Sequence, residues 1–124
     1  MMLPPTLVDA NVILRYLIGD GGELAERARD IIESDEAYAY PEVLVEVVYV
    51  LSGVYEVPRR DICMAFRKLM QFMSFYDLDM LICAFNYYEL TTMDFVDCLL
   101  VARKLVLKEH VASFDKQVNH YLGE

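Results

Sequence analysis

The sequence lacks long apolar segments, an amino-terminal export signal and paired cysteines. Charged residues interrupt its apolar runs well short of the length of a membrane span. Residues 1–5 contain no basic stretch followed by a long apolar one, so they are not a secretory signal. The three cysteines, Cys63, Cys83 and Cys98, form no Cys-x-x-Cys pair and lie in apolar surroundings. These absences predict a cytoplasmic protein with free, buried thiols, and they argue against disulfides and zinc.

Basic residues are also scarce. The chain has 11 Lys and Arg against 20 Asp and Glu, which gives a formal net charge of −9. Because phosphate contacts need Lys and Arg, the charge alone argues against a nucleic-acid binder. Two interpretations stay open: an acidic surface that keeps the protein soluble, or several acids that converge and need cations. Only the positions of the acids separate the two.

Apolar residues, by contrast, are abundant, at 56% of 124 residues. This length predicts a single domain over 1–124 with a core large enough to fold. The high apolar share indicates either a generous core or an apolar face that a partner buries. No repeat, low-complexity tract or linker divides the chain.

Apolar periodicity predicts short strands that alternate with helices. The predicted strands are 6–8, 37–40, 74–78 and 110–114. The predicted helices are 12–18, 23–32, 42–54, 58–72, 79–90 and two more that begin near Thr92 and at Asp115. This order predicts an α/β fold, a three-layer α/β/α sandwich around a mostly parallel sheet of four or five strands.

Four acids stand out by their positions. Asp9 and Asp115 each follow a predicted strand directly, and the carboxyl ends of parallel strands meet at one edge of the sheet. Glu46 and Asp97 lie inside apolar helical segments, where an unpaired charge is costly. Carboxylates without a His or Cys cluster favour Mg²⁺ or Mn²⁺ over zinc. Together the four acids predict metal-assisted hydrolysis of a phosphodiester.

Each of these acids also has a purely structural interpretation. Asp9 and Asp115 fit as N-caps of the helices that follow them. Glu46 fits a solvated helix face, and Asp97 fits a pair with a basic residue further along its helix. With 20 acids in the chain, spacing by itself does not single out four of them.

Four sequence blocks occur in an order that resembles a known family. They are Val8–Arg15, Pro41–Leu51, Asp94–Ala102 and Ser113–Lys116. In this order they resemble the motifs of the PIN-domain family and, within it, of the VapC-type toxins of toxin–antitoxin pairs. The departures are small: Ala10 and Ser113 stand where the family often has a hydroxyl residue and Thr, respectively.

The resemblance implies a ribonuclease that depends on Mg²⁺ or Mn²⁺. Its catalytic and metal-binding acids would be Asp9, Glu46, Asp97 and Asp115. It also implies an RNA substrate, a cognate antitoxin protein as partner, and a homodimer.

Three further polar residues are candidates for support. Asn11 could orient Asp9 or a metal-bound water, or help to cap its helix. Ser113 could hydrogen-bond Asp9 or that water. Asp94 lies three residues after Thr91, and this capping-box spacing favours a cap over a ligand.

Other functions share part of this pattern. A haloacid-dehalogenase-type phosphatase needs a second Asp two residues after the first, and Asn11 occupies that position. A receiver-type signalling domain needs paired acids after its first strand, and Asp9 has no acidic neighbour. A PIN fold used only to bind proteins, without nuclease activity, is a further alternative.

Overall fold

The computed structural model describes residues 5–34 and 36–123 as a mixed α/β fold. Its strands are β1 (Thr6–Leu7), β2 (Ala37–Ala39) and β3 (Ser74–Phe75). Its helices are α1 (Ala10–Ile18), α2 (Glu23–Ser34), α3 (Pro41–Gly53), α4 (Arg59–Leu69), α5 (Leu78–Leu90), α6 (Phe95–Leu107) and α7 (Lys116–Leu122). The chain divides into two compact units, one up to Tyr76 and one from Asp77 onward. None of the helices in the described ranges has the length and apolar character that a membrane crossing requires.

The first unit contains a parallel sheet in the order β1-β2-β3. Leu7 pairs with Tyr38, and Ala39 pairs with Phe75. The ladder continues past the strands, because the Val8 N–H donates to the Tyr38 carbonyl at 3.0 Å. The three carboxyl ends therefore lie at one edge of this sheet.

Side chains alternate across the sheet between a buried face and an exposed one. Val8, Ala39 and Phe75 are buried, whereas Leu7 and Tyr40 are exposed. Successive residues of a strand point to opposite faces, so the buried set identifies the face that packs into the core.

Helix α1 begins where β1 ends because Asp9 caps it. The Asp9 carboxylate accepts a hydrogen bond from the Val12 N–H at 3.1 Å, which satisfies one of the free amides of the first turn. The helix ends at Gly19, whose φ of +60° suits a residue without a side chain. Its start is two residues earlier than the predicted one.

Helix α3 forms although five of its thirteen residues are valine, a residue that favours strands. Pro41 occupies its first turn, where a missing N–H costs nothing. Leu44, Val47, Val48 and Leu51 are buried at helical spacing. The burial pattern therefore outweighs the strand propensity, as the sequence predicts.

A hydrogen bond links α1 to α2. The Tyr16 hydroxyl donates to Glu33 Oε2 at 2.7 Å. Burial, followed by this bond, raises the pKa of Tyr16 to about 12. The same bond is the main cause that lowers the pKa of Glu33.

The second unit consists of helices α5, α6 and α7. Phe95 at the start of α6 packs against Phe85 and Tyr88 of α5, with ring centroids 4.6 and 5.6 Å apart. Lys104 on α6 donates to the Leu122 carbonyl at 2.6 Å and so holds the last turn of α7. Aromatic packing joins α5 to α6, and this hydrogen bond is one of the contacts that join α6 to α7.

The predicted capping box at Thr91 is wrong. Asp94 itself is the N-cap residue of α6, and its side chain makes no cap hydrogen bond. The Thr91 hydroxyl donates to the Tyr87 carbonyl at 2.6 Å, so it belongs to the end of α5. A hydroxyl that finds a carbonyl acceptor in the preceding turn is no longer placed to cap the next helix.

The predicted strand at 110–114 is also wrong. Over the described residues the sheet has three strands, not four or five. Polar side chains use the backbone of this segment locally: Ser113 Oγ accepts from the Asp115 N–H at 3.0 Å, and the Asn119 amide donates to the Ser113 carbonyl at 2.8 Å. Phe114 is fully exposed. Local side-chain bonds thus replace a strand ladder here.

We predict that Tyr16→Phe destabilises the fold only within a window of pH. Because the pKa of Glu33 is lowered in the folded state, the bond contributes above the ordinary Glu pKa and is lost as the pH falls through the folded value. Because the pKa of Tyr16 is raised, the contribution also fades as the pH rises toward about 12. Urea unfolding of both proteins across this range measures the difference.

Tyr49→Phe is the matched control, since Tyr49 is half exposed on α3 and removal of its hydroxyl should change little. A constant difference between Tyr16→Phe and the unmodified protein from acid to alkaline pH would contradict the assigned bond.

Candidate active site

Asp9 lies at the carboxyl end of β1, as predicted, and it is also a helix cap. The cap uses Oδ1, which accepts from the Val12 N–H. The second carboxylate oxygen is outside this bond. Capping and metal binding are therefore compatible at this residue.

Asp115 also caps a helix, α7, but unlike Asp9 it does not follow a strand of the described sheet. Its Oδ1 accepts from the N–H groups of Gln117 and Val118, at 2.9 and 3.0 Å. Ser113, predicted to support the site, braces the turn by accepting from the Asp115 N–H at 3.0 Å. Two backbone N–H groups thus orient the carboxylate, and the Ser113 hydroxyl fixes the backbone of the same turn.

Glu46 is exposed on α3, in the same unit as Asp9. Its neighbours Leu44, Val47 and Val48 are buried, so the apolar residues around it in the sequence face the core while Glu46 does not. The packing of α3 against the core therefore explains why apolar residues surround Glu46 in the sequence. The exposure of Glu46 matches the solvated helix face that is the structural interpretation of this residue, and its role as a metal ligand stays a prediction.

Asp97 is partly buried in the first turn of α6, and its electrostatic surroundings are acidic. Burial, followed by the charges of Asp115 and Asp94, raises its pKa. The charges that shift the pKa of Asp97 come from acids and not from a basic residue of the same helix. Arg103 instead binds both carboxylate oxygens of Glu109, at 2.6 and 2.7 Å.

The second unit thus contains a carboxylate cluster, formed by Asp94, Asp97 and Asp115. Asp97 is partly desolvated and is repelled by its two exposed neighbours, which is costly, and a cation would offset that cost. Hard oxygen donors of this kind suit Mg²⁺ or Mn²⁺. The chemistry of the cluster therefore fits a divalent ion.

The cluster is not a finished coordination sphere. Within either unit, the described residues include no group of three or more Asp, Glu, His or Cys side chains close enough to share an ion. Charges act on one another over several ångströms, whereas ligation of Mg²⁺ requires oxygens at roughly 2.1 Å. Asp94 and Asp115 thus act on Asp97 over distances larger than shared ligation requires.

Asn11 is exposed in the first turn of α1. With Arg15 and Asp20 it lines a cavity of about 300 Å³. Arg15 lies 3.5 Å from the Asp20 carboxylate, so this basic side chain is already paired within the cavity. The role of Asn11 beside Asp9 stays a prediction.

Asn119 is a positioning residue that the sequence motifs do not reveal. Its amide nitrogen holds the Ser113 carbonyl at 2.8 Å, and its Oδ1 is buried without a hydrogen-bond partner. Helical spacing is the available signal, since Asn119 lies four residues after Asp115 and therefore on the same side of α7. It fixes the turn that presents the Asp115 carboxylate.

A comparison with protein families matches the PIN domain over residues 6–121. Comparisons with curated proteins and with solved structures find no match. The matched range includes all four predicted acids and nearly the whole chain. PIN domains are in general nucleases. The chain belongs to the PIN domain family.

Proposed function

We propose that the protein is a ribonuclease that depends on Mg²⁺ or Mn²⁺, and that it is the toxin of a type II toxin–antitoxin pair. The observation that carries the metal-dependent activity is the PIN domain match over residues 6–121, a range that includes all four acids. The raised pKa of Asp97, caused by burial and by the charges of Asp115 and Asp94, supports it, because perturbed pKa values concentrate at functional sites.

Asp9, Glu46, Asp97 and Asp115 would hold the ion or ions. When bound, the metal would supply an activated water and neutralise charge on the phosphodiester. The chain's own contribution is orientation: the caps at Asp9 and Asp115 fix Oδ1 and leave the second oxygen for the ion. Asp94, which makes no cap bond, adds negative charge beside Asp97.

The extent of the family match supports a single nuclease domain over 1–124. The match runs from residue 6 to residue 121 and so crosses the boundary between the two compact units. We extend this proposal to the three-layer α/β/α arrangement that the sequence predicts, with three strands in place of four or five.

RNA as the substrate, a cognate antitoxin as partner, a homodimer and a cytoplasmic location are further parts of the proposal. They rest on the four motif blocks that resemble VapC-type toxins. The exposed apolar side chains of the described residues, among them Leu24, Val54 and Leu90, agree with surfaces that a partner covers.

We predict that Asp9→Asn abolishes RNA cleavage and leaves the fold intact. Asn caps helices as well as Asp does, so the free energy of unfolding should change by less than about 0.5 kcal/mol. Residues that only orient metal ligands are worth about 10- to 100-fold in activity, so a direct ligand should be worth at least as much. Cleavage of single-stranded RNA with Mn²⁺ measures the loss.

The control is Asp30→Asn, which removes an exposed acid from α2 and should leave cleavage unchanged. Cleavage by the unmodified protein in excess EDTA, or by Asp9→Asn with Mn²⁺, would refute the metal-nuclease assignment. A folded, unmodified protein that cleaves no RNA would favour the protein-binding alternative.

We predict that Asp97→Asn stabilises the metal-free protein while it removes activity. Because the pKa of Asp97 is raised in the folded state, ionisation of this group opposes folding at neutral pH. The denaturation midpoint of Asp97→Asn in EDTA should exceed that of the unmodified protein at pH 7. The difference should vanish as the pH falls below the ordinary Asp pKa of about 3.9, because Asp97 is then protonated in both states.

Asp30→Asn serves again as control, and its midpoint should follow the unmodified protein at each pH. A lower midpoint for Asp97→Asn at neutral pH would mean that the carboxylate stabilises the fold, and would argue against a strained metal ligand.

A further inference from the structure

Three tyrosines cluster at the carboxyl edge of the parallel sheet. Tyr38 lies in β2, Tyr40 follows β2 directly, and Tyr76 follows β3 directly. The rings of Tyr40 and Tyr76 are stacked, with centroids 4.6 Å apart and planes 10° from parallel. Tyr38 meets both rings edge-on, at 6.1 and 5.8 Å. The three rings therefore hold one another in place.

The stacked pair is open to solvent. Tyr76 is 52% exposed and Tyr40 is 37% exposed, whereas Tyr38 is half-buried beneath them. Electrostatic repulsion from Tyr76 and, second, burial raise the pKa of Tyr40. The Tyr40 hydroxyl therefore stays neutral at physiological pH. The outer side of the pair thus offers a flat, uncharged aromatic surface of fixed orientation.

The strand register places this surface level with Asp9. The Tyr76 N–H donates to the Ala39 carbonyl at 3.2 Å, so Tyr40 and Tyr76 lie side by side across β2 and β3. Leu7 pairs with Tyr38, so Asp9 and Tyr40, each two residues further along the chain, lie beside one another. Adjacent strands are about 4.8 Å apart, so Asp9 is roughly 10 Å from Tyr76 along the sheet edge. A base on the outer face of Tyr76 would therefore lie at the same sheet edge as Asp9, with the two stacked rings between them.

Aromatic stacking would allow an acidic protein to bind a nucleic acid. A chain with a net charge of −9 gains little affinity for a polyanion from phosphate contacts. Stacking of bases on aromatic rings needs no positive charge and accepts every base, because each has a flat face. It also requires unstacked bases, which single strands offer and duplexes do not.

We propose that Tyr38, Tyr40 and Tyr76 form a stacking platform that binds nucleobases of a single-stranded substrate beside Asp9. Tyr76 presents the outer face, Tyr40 backs it, and Tyr38 fixes both rings from the side. The inference rests on the proposed function for the identity of the substrate, and it adds a residue set that determines how that substrate is held.

The test measures binding apart from cleavage. A short fluorescein-labelled single-stranded RNA is titrated with protein in EDTA, and anisotropy gives the Kd. We expect Tyr76→Ala to raise the Kd about five- to 150-fold, the usual effect of losing one base–aromatic stack. Tyr76→Phe keeps the ring and should bind like the unmodified protein. A duplex of the same sequence should bind more weakly and should not respond to either substitution.

Tyr55→Ala is the matched control, because Tyr55 is also 52% exposed but lies beyond the end of α3. Its Kd should stay unchanged. Since the chain has no tryptophan, tyrosine emission is directly observable. We expect the RNA to quench it, and to quench it less in Tyr76→Ala. This second readout applies to the unmodified protein even if a variant folds poorly.

Several outcomes would overturn the platform. An unchanged Kd in Tyr76→Ala would do so, and so would equal losses in Tyr76→Phe and Tyr76→Ala, which would assign the hydroxyl and not the ring. If Tyr76→Ala converts a dimer to a monomer in sedimentation and leaves RNA binding intact, the surface is an interface between copies of the chain.

Failure of the platform and failure of the nuclease are separable. Ring-dependent RNA binding without cleavage in Mn²⁺ would support the platform and refute the proposed function. Metal-dependent cleavage together with an RNA Kd that Tyr76→Ala leaves unchanged would support the proposed function and refute the platform.

Discussion

The parallel pairing of three very short strands is the constraint on which the site depends. Parallel strands bring all their carboxyl ends to one edge, so whatever follows β1, β2 and β3 is placed together. Asp9 follows β1, Tyr40 follows β2 and Tyr76 follows β3. An acid and two aromatic rings far apart in sequence therefore lie level along one edge. The hydrogen bonds from Val8 and Tyr76 show that the ladder extends to this level.

The acids have structural roles that are compatible with the proposed metal binding. Asp9 and Asp115 each cap a helix with one oxygen, and this use orients the carboxylates. Asp97 is different, because burial and two acidic neighbours raise its pKa and make its ionised form costly. A carboxylate whose ionised form destabilises the fold is typical of a site that binds a positively charged ligand. The capping interpretation and the metal interpretation are thus complementary, not exclusive.

Sequence patterns predict the long elements well and the short ones poorly. The valine-rich segment at 42–54 is a helix, as its buried residues at helical spacing indicate. The segment at 110–114 has the composition of a strand, yet Ser113 and Asn119 satisfy its backbone locally. Thr91 fits a capping box in the sequence, but its hydroxyl bonds the end of α5. The hydrogen-bond partner of each side chain depends on which group lies nearest in the folded structure. A sequence pattern contains no information about those distances.

The sequence by itself determined the family, through four motif blocks in a fixed order, and the order of the elements apart from the predicted strand at 110–114, through apolar periodicity. The candidate acids follow from the motif blocks, since spacing alone does not single them out. Only the tertiary structure decided what each acid touches: Asp9 and Asp115 are caps, and Asp97 is governed by neighbouring acids. The tyrosine cluster also emerged only there, since Tyr38, Tyr40 and Tyr76 become neighbours through strand register. Long-range pairing and burial set these contacts, and neither is encoded in a local stretch of chain.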